Sequence, residues 1–345
     1  ATIATNQANV VLAEPGSQIV DQTAADALAA FATNDTSGRF TIQAGRSFTT
    51  AAAFANRGVL TISEGVTFTV PASFDYTQDN GAGMTHLLSR TLAVGGLADV
   101  TAGTLSGWGV LSGTLSNGGT VAAGASAGRL QVLGDYAQTA AGRLDVELGG
   151  LAPGTGFDRL DVAGTASLDG ALNVTEIDGF YPSLGDAFPI LSFGARAGDF
   201  ATRNGLSLGD GLILTPTYGT SVLTLTATTA GSYHWNNPGG GNWGTATNWT
   251  PNGVPGPTDD AFIVLSGTYT VDLDQTASVN ALTLGGDSGQ QTLSIAAHTL
   301  TLGDASVVGA NGRVAVSGGT LAVDSIAVSS TAALSVTGGL DLTAG

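Results

Sequence analysis

The sequence predicts an all-β protein built as a β-solenoid, and three observations carry that prediction. The first is period: from Arg159 to Val174, the residues Leu160, Val162, Leu168, Leu172 and Val174 alternate with small or polar neighbours. That is the period of a strand with one buried face. The second is punctuation: Gly164 and Gly170 stand where each short run stops, as expected where the chain bends too tightly for a side chain. The third is composition: 52 Gly, 11% charged and 43% hydrophobic residues suit short strands and tight turns better than a compact enzyme. Abundant Thr, Val, Leu and Ser agree, since β-branched side chains fit a pleated, half-buried surface.

Taken in order, residues 1–38 form an N-terminal segment that opens with two alternating runs, and Ala1 to Val20 is a candidate pairing strand for a neighbour. Asp21 to Phe31 is then the one stretch that reads as a short helix or else a surface loop, rich in helix formers with Asp21 placed as N-cap. Residues 39–123 read as solenoid, starting with Phe40-Thr41-Ile42, Val59-Leu60-Thr61-Ile62 and Val66 to Val70, closed by Pro71. Phe74 to Arg90, with Met84 and His86, breaks the rhythm and is expected to leave the coil as an excursion loop. From Thr91 short glycine-closed runs return, at spacings too variable for a calcium-binding nonapeptide repeat. Residues 124–230 continue the pattern, and a texture change near Gly231 opens a second module, 231–345. That module begins Trp-, Pro- and Gly-rich and ends in alternating runs such as Val314 to Gly319 and Leu334 to Leu342. A solenoid stopping at Gly345 without a polar cap implies continuation.

The net charge of −17, with ten basic residues that are all Arg, gives no basic footprint for nucleic acid and disfavours anionic lipid surfaces. Cysteine is absent, so no disulfide or thiolate metal site is available. No run has the length of a membrane-spanning helix, and no leader pattern follows Ala1. The expectation is a mature chain or a piece of a longer one.

Two stretches resemble known families. Gly124-x-Ser126-x-Gly128-x-Leu130, Gly134-Asp135-Tyr136-x-Gln138, Gly142-x-Leu144-x-Val146-Glu147, Phe157-Asp158-x-Leu160-x-Val162-x-Gly164, Leu168-x-Gly170-x-Leu172, Gly185-Asp186-x-Phe188-x-Ile190-Leu191 and Gly198-x-Phe200 follow in order. This set resembles the C-terminal part of bacterial autotransporter passenger domains. The resemblance implies a right-handed parallel β-helix with a folding cap, serving as adhesin, stalk or carrier. Trp235, Gly241-Asn242-Trp243, Asn248-Trp249, Gly253-Val254-Pro255, Asp259-Asp260, Tyr269-Thr270-Val271 and Leu282-Thr283-Leu284-Gly285 resemble a repeat of very large bacterial surface proteins, where it starts a new β-helical unit. The membrane barrel that completes an autotransporter does not occur here.

Candidate sites are few. Trp235, Trp243 and Trp249 are a candidate glycan platform, or else core anchors of a Gly- and Pro-rich loop. Asp259, Asp260, Asp272 and Asp274 are candidate calcium ligands, or solvated turn carboxylates. Asp158 and Asp161 fit turn hydrogen bonding better than catalysis. His86, His234 and His298 share no ligand spacing, and Gly124-Ala125-Ser126-Ala127-Gly128 has the letters of a nucleophile elbow without its strand–turn–helix setting. Asn34, Asn173 and Asn248 begin Asn-x-Thr triplets. No catalytic residue or cofactor is assigned. The expected function is an extracellular, cell-surface structural protein: a β-solenoid stalk, adhesin or self-assembling fibre subunit that associates end to end and contacts a host or matrix glycan. The alternative is a polysaccharide-binding or -cleaving β-helix, with its groove at the Trp module or at Phe74–Arg90.

Overall fold

The computed structural model describes residues 1–63, 65–124, 126–209, 212–323 and 325–342. The chain divides into two compact units, Ala1–Asn204 with Pro216–Thr226, and Gly205–Thr215 with Ala227–Gly345. Both are all-β; among the described residues the only helical element is a single 3-10 turn, Ala246–Asn248.

In the first unit, strands pair in parallel with strands one layer further along the chain, in three ladders. One runs Asn9–Ala13, Arg39–Gln43, Val59–Ile62 and into Met84–Val100, with Leu12, Ile42, Ile62 and Leu87 in register. A second carries Phe48, Phe68, Leu92, Leu111, Val132 and Val162. The third carries Phe54, Tyr76, Ala98, Leu115, Tyr136 and Ala166. Alternation explains the core: in Arg39–Gln43 the side chains of Phe40 and Ile42 are fully buried while Thr41 between them is not. At the N-terminal end Phe31, Phe40, Phe54 and Phe68 pack edge-on or tilted at 4.7 to 5.1 Å, the favoured geometry for aromatic pairs. Ala187–Ser192 then pairs antiparallel with Val222–Thr229, an exception to the parallel rule.

In the second unit the parallel ladders are Gly231–Trp235 through Asp259–Ile263, Ala281–Leu284 and Ser306–Val308; Gly241–Asn242 through Tyr269–Asp272, Gln291–Ile295 and Gly312–Val316; and Ala277–Val279 through Thr299–Leu302 and Thr320–Val323. The glycine stop at Gly170 has φ of +63°, and a Cβ there would run into the Gly142 carbonyl of the layer before. Only glycine passes so close at that dihedral without strain.

A column of buried amides stitches the first unit together. Asn6 Nδ2 donates to Asn34 Oδ1 at 2.9 Å, Asn34 Nδ2 to Asn56 Oδ1 at 2.8 Å, and Asn56 Nδ2 to Gln78 Oε1 at 3.3 Å. Each amide also donates to the carbonyl of a strand beginning beyond the next turn: Arg39, Val59 and Met84 respectively, at 3.1, 3.1 and 2.9 Å. Asn117 and Gln138 repeat the device two layers on, with Asn117 Nδ2 reaching Tyr136 Oη at 3.0 Å and Gln138 Nε2 the Asp169 carbonyl at 2.6 Å. Buried polar groups are tolerable only when paired in this way, and stacked amides reinforce a parallel array.

One two-way sequence expectation is decided and another is corrected. Residues 21–31 form turns, not a helix: Asp21 Oδ1 accepts from the Thr23 amide at 2.8 Å and the Ala25 amide at 3.1 Å, and Ala24 sits at φ +60°. Asp21 therefore caps a turn that a left-handed residue cuts short, and Leu28 and Phe31 go into the core. Phe74–Arg90 is no excursion. Tyr76–Gln78 and Met84–Val100 are strands, and Met84 to Leu87 pair in register with Val59 to Ile62. Its inward position Thr85 is polar, which hid the alternation, and Tyr76 Oη and Gln78 satisfy its hydroxyl inside the core.

Candidate functional site

The residues singled out by sequence fall mainly into structural roles. Trp235, Trp243 and Trp249 are 2%, 0% and 1% exposed. Trp249 meets Trp235 edge-on at 5.1 Å and Trp243 at 4.9 Å, and its Nε1 donates to the Trp243 carbonyl at 2.8 Å. A stacked sugar needs an open ring face, and these rings turn theirs into the core of the second unit. Asp259 accepts from the Gly256 amide at 2.9 Å, Asp260 from Asn280 Nδ2 at 2.7 Å, and Asp274 from the Gly244 amide at 2.8 Å. They thus serve separate turns, and among the described residues no three acidic or histidine side chains converge to hold a metal. His86 Nδ1 lies 2.7 Å from Ser106 Oγ, and burial lowers its pKa. His234 stacks on Phe262 at 4.7 Å, with its Nε2 3.1 Å from Ser232 Oγ.

Gly124 and Gly128 border a buried carboxylate. Asp158, 1% exposed, accepts from the Gly128 amide at 2.7 Å through Oδ1 and from the Glu147 amide at 3.0 Å through Oδ2. Burial pushes its pKa up to about 7. Its two oxygens tie the corner before Arg129 to the end of strand Arg143–Leu148, which explains why Gly128 and Asp158 belong to one sequence pattern. Ala125 lies outside the described residues, as does Gly345. Asp161 accepts from Arg129, from Arg159 at 2.7 Å and from Ser192. Asn34 is fully buried in the amide column, so its Asn-x-Thr triplet offers no acceptor to a glycosylating enzyme.

The surface feature with the chemistry of a binding site is elsewhere. An open recess of about 510 Å³ lies on the second ladder's outer face, floored by Thr67, Thr91 and Val110 and edged by Arg90, Trp108 and Arg129. Its volume is in the range of small-ligand sites. Two successive layers cross this corner as continuous strands, Met84–Val100 and Thr104–Asn117, whereas in the adjoining layers the strands end at Ile62 and Ala122 and new ones begin at Thr67 and Arg129. Within the crossing, Leu88 pairs with Trp108 and Arg90 with Gly109, leaving Ser89 as an extra residue, a bulge at φ +65°. Gly107 at φ +104° and Gly109 at φ +154° flank the tryptophan, and a Cβ on either would strike the Leu87 or Arg90 carbonyl. Such bulges bend a strand and re-aim side chains. Trp108 is left 40% exposed.

Charge in the recess is uneven. Arg129, held through Nε to Asp161, keeps about half of its side chain exposed. Among the described residues, Arg90 Nε is buried with no hydrogen-bond partner. Sequence reading passed over this site because Arg90, Trp108 and Arg129 come from three layers and meet only through register. One local signal was present, a large aromatic between two glycines, Gly107-Trp108-Gly109. In comparisons with known proteins, the chain matches no protein-family model and no curated protein.

Proposed function

We propose that the protein is an extracellular structural protein of the bacterial surface, a β-solenoid stalk, adhesin or fibre subunit whose units are right-handed parallel β-helices. The observation that carries this reading is the parallel, layer-to-layer register of the three ladders, reinforced by the buried amide column. A chain built this way bonds each layer to the next, so load and protease attack meet backbone pairing and not exposed loops. The likeness of residues 124–226 to autotransporter passengers, and of 233–285 to the surface-protein repeat, supports the same reading.

Self-association has a concrete edge. The N-terminal strands pair within the chain: Thr5–Asn6 with Thr33–Asn34, and Asn9–Ala13 with Arg39–Gln43. The Arg39 amide donates to the Ala8 carbonyl at 2.9 Å. By the parallel pattern the N–H groups of Asn9, Val11 and Ala13 then point to the opposite side, where no strand is seated among the described residues. An edge of this kind is a template for another chain. Sedimentation of the protein over rising concentration, alongside Val11→Pro, tests it. The proposal expects association that the proline abolishes while circular dichroism stays unchanged. Association equal in both proteins would refute this edge as the junction.

A further inference from the structure

We infer that the recess at Arg90, Trp108 and Arg129 binds an acidic saccharide chain, with Arg90 pairing to a carboxylate or sulfate and Trp108 stacking against a sugar ring. The site lies wholly within the first unit and does not rest on end-to-end association. It lies apart from the Trp module, and shares only Ser89 and Arg90 with the Phe74–Arg90 stretch that the sequence suggests as a groove.

Four observations converge on it. First, the backbone is distorted there: Ser89 is an extra residue in the register and Ser89, Gly107 and Gly109 have positive φ. Strain of this kind costs about 1–3 kcal/mol per non-glycine residue and persists where it positions something. Second, the distortion leaves an indole 40% exposed, although Trp235, Trp243 and Trp249 are all buried. A flat aromatic face on a polar surface suits the apolar face of a sugar. Third, among the described residues Arg90 Nε is desolvated and has no acceptor, in a chain with 27 acidic residues against ten basic ones. Asp161, the carboxylate paired with Arg129 at the rim, is also committed to Arg159 and Ser192. A desolvated N–H without a partner is costly, and the guanidinium that carries it lines the recess, where an oxyanion can pair with it. Fourth, Thr67, Thr91, Val110 and Gln131 follow one another in register down the floor. Thr67 and Thr91 stand at roughly the 4.8 Å interval of paired strands and Gln131 about two intervals further, with Val110 between them, a row that extends along the stack as a chain ligand would.

Fluorescence gives the test, because Trp108 is the exposed indole while the other three are shielded. The full chain is titrated with oligogalacturonate, with heparin-derived oligosaccharide and with neutral cello-oligosaccharide. Acrylamide quenching and calorimetry are the readouts. The expected result is saturable protection of Trp108 by at least one acidic probe, weakened by added salt and absent with the neutral one. Affinity should drop at least tenfold in Arg90→Gln and in Trp108→Ala, each checked for an unchanged circular dichroism spectrum. If Arg90→Gln does not fold, Arg129→Gln at the rim and Trp108→Phe carry the same comparison. No saturation with either acidic probe at millimolar concentration, equal binding of the neutral probe, or undiminished affinity in the folded variants would overturn the inference. None of these outcomes bears on the sedimentation behaviour.

Discussion

Removing Asn56 should damage the first unit far more than any exposed polar substitution. Its side chain is fully buried. Oδ1 accepts from Asn34 at 2.8 Å, and Nδ2 donates to the Met84 carbonyl at 2.9 Å, to Thr85 Oγ1 at 3.1 Å and to Gln78 Oε1 at 3.3 Å. Asn56→Ala deletes all four. Asn34 Nδ2 keeps the Val59 carbonyl at 3.1 Å, so its loss is partial, whereas the Met84 carbonyl loses the donor that ties the turn. A made hydrogen bond contributes about 0.5–1.5 kcal/mol net and an orphaned buried group costs about 1–3 kcal/mol. The two short bonds therefore give a loss of about 1–3 kcal/mol, with a small cavity added. Urea denaturation followed by circular dichroism measures it, and hydrogen exchange should show the loss localised to strands Phe54–Asn56 and Tyr76–Gln78. Thr41→Ala, at an outward position, should stay within about 0.5 kcal/mol. The double variant Asn34→Ala/Asn56→Ala should cost less than the sum of the singles, since the two share a bond. An Asn56→Ala protein within 1 kcal/mol of wild type, or strict additivity of the pair, would refute the amide column as a stabilising device.

Asp158 makes a pH prediction. With its pKa raised to about 7 in the folded chain from 3.8, the native state holds a proton between those values that the unfolded chain has released. Its contribution to stability is therefore greatest below about pH 4, declines through pH 4–7 and is flat above, a fall of at most about 4 kcal/mol. Asp158→Asn should remove that decline from the difference between the two proteins' pH curves; parallel curves would contradict it. Trp243→Ala should cost about 3–5 kcal/mol in the second unit by opening a cavity among Trp235, Trp249 and their neighbours. A change below 1 kcal/mol would mean the indoles do not form its core. Gly109→Ala should destabilise by about 1–3 kcal/mol, because its Cβ meets the Arg90 carbonyl at φ +154°, and a neutral result would argue against the bulged corner.

Much of the strand content was legible because inward and outward residues alternate at Phe40–Ile42, Leu60–Ile62 and Leu160–Val162, where the inward positions are large and apolar. Legibility failed where the inward position is polar. Thr85, Asn56 and Gln78 face inward, and polar residues in a run read as loop. That misreading produced the excursion at Phe74–Arg90. The amide column was invisible for a related reason: Asn6, Asn34, Asn56 and Gln78 lie 28, 22 and 22 residues apart, an interval set by turn lengths that vary from layer to layer. The helix expectation at Asp21 failed through competition, since the same Asp side chain that caps a helix also closes a turn. The indoles of Trp235, Trp243 and Trp249 drew attention by number, while Trp108, alone in its stretch, is the one that reaches solvent. Proximity of Arg90 to Arg129 follows from parallel register, which a linear pattern does not show.

Electron microscopy of the native, undiluted protein tests the central claim most directly, that parallel layers build an elongated surface element. The account predicts rods or filaments whose images show a regular axial spacing near 4.8 Å, the distance between paired strands, with right-handed coiling at high resolution. Compact particles without that axial spacing would contradict it.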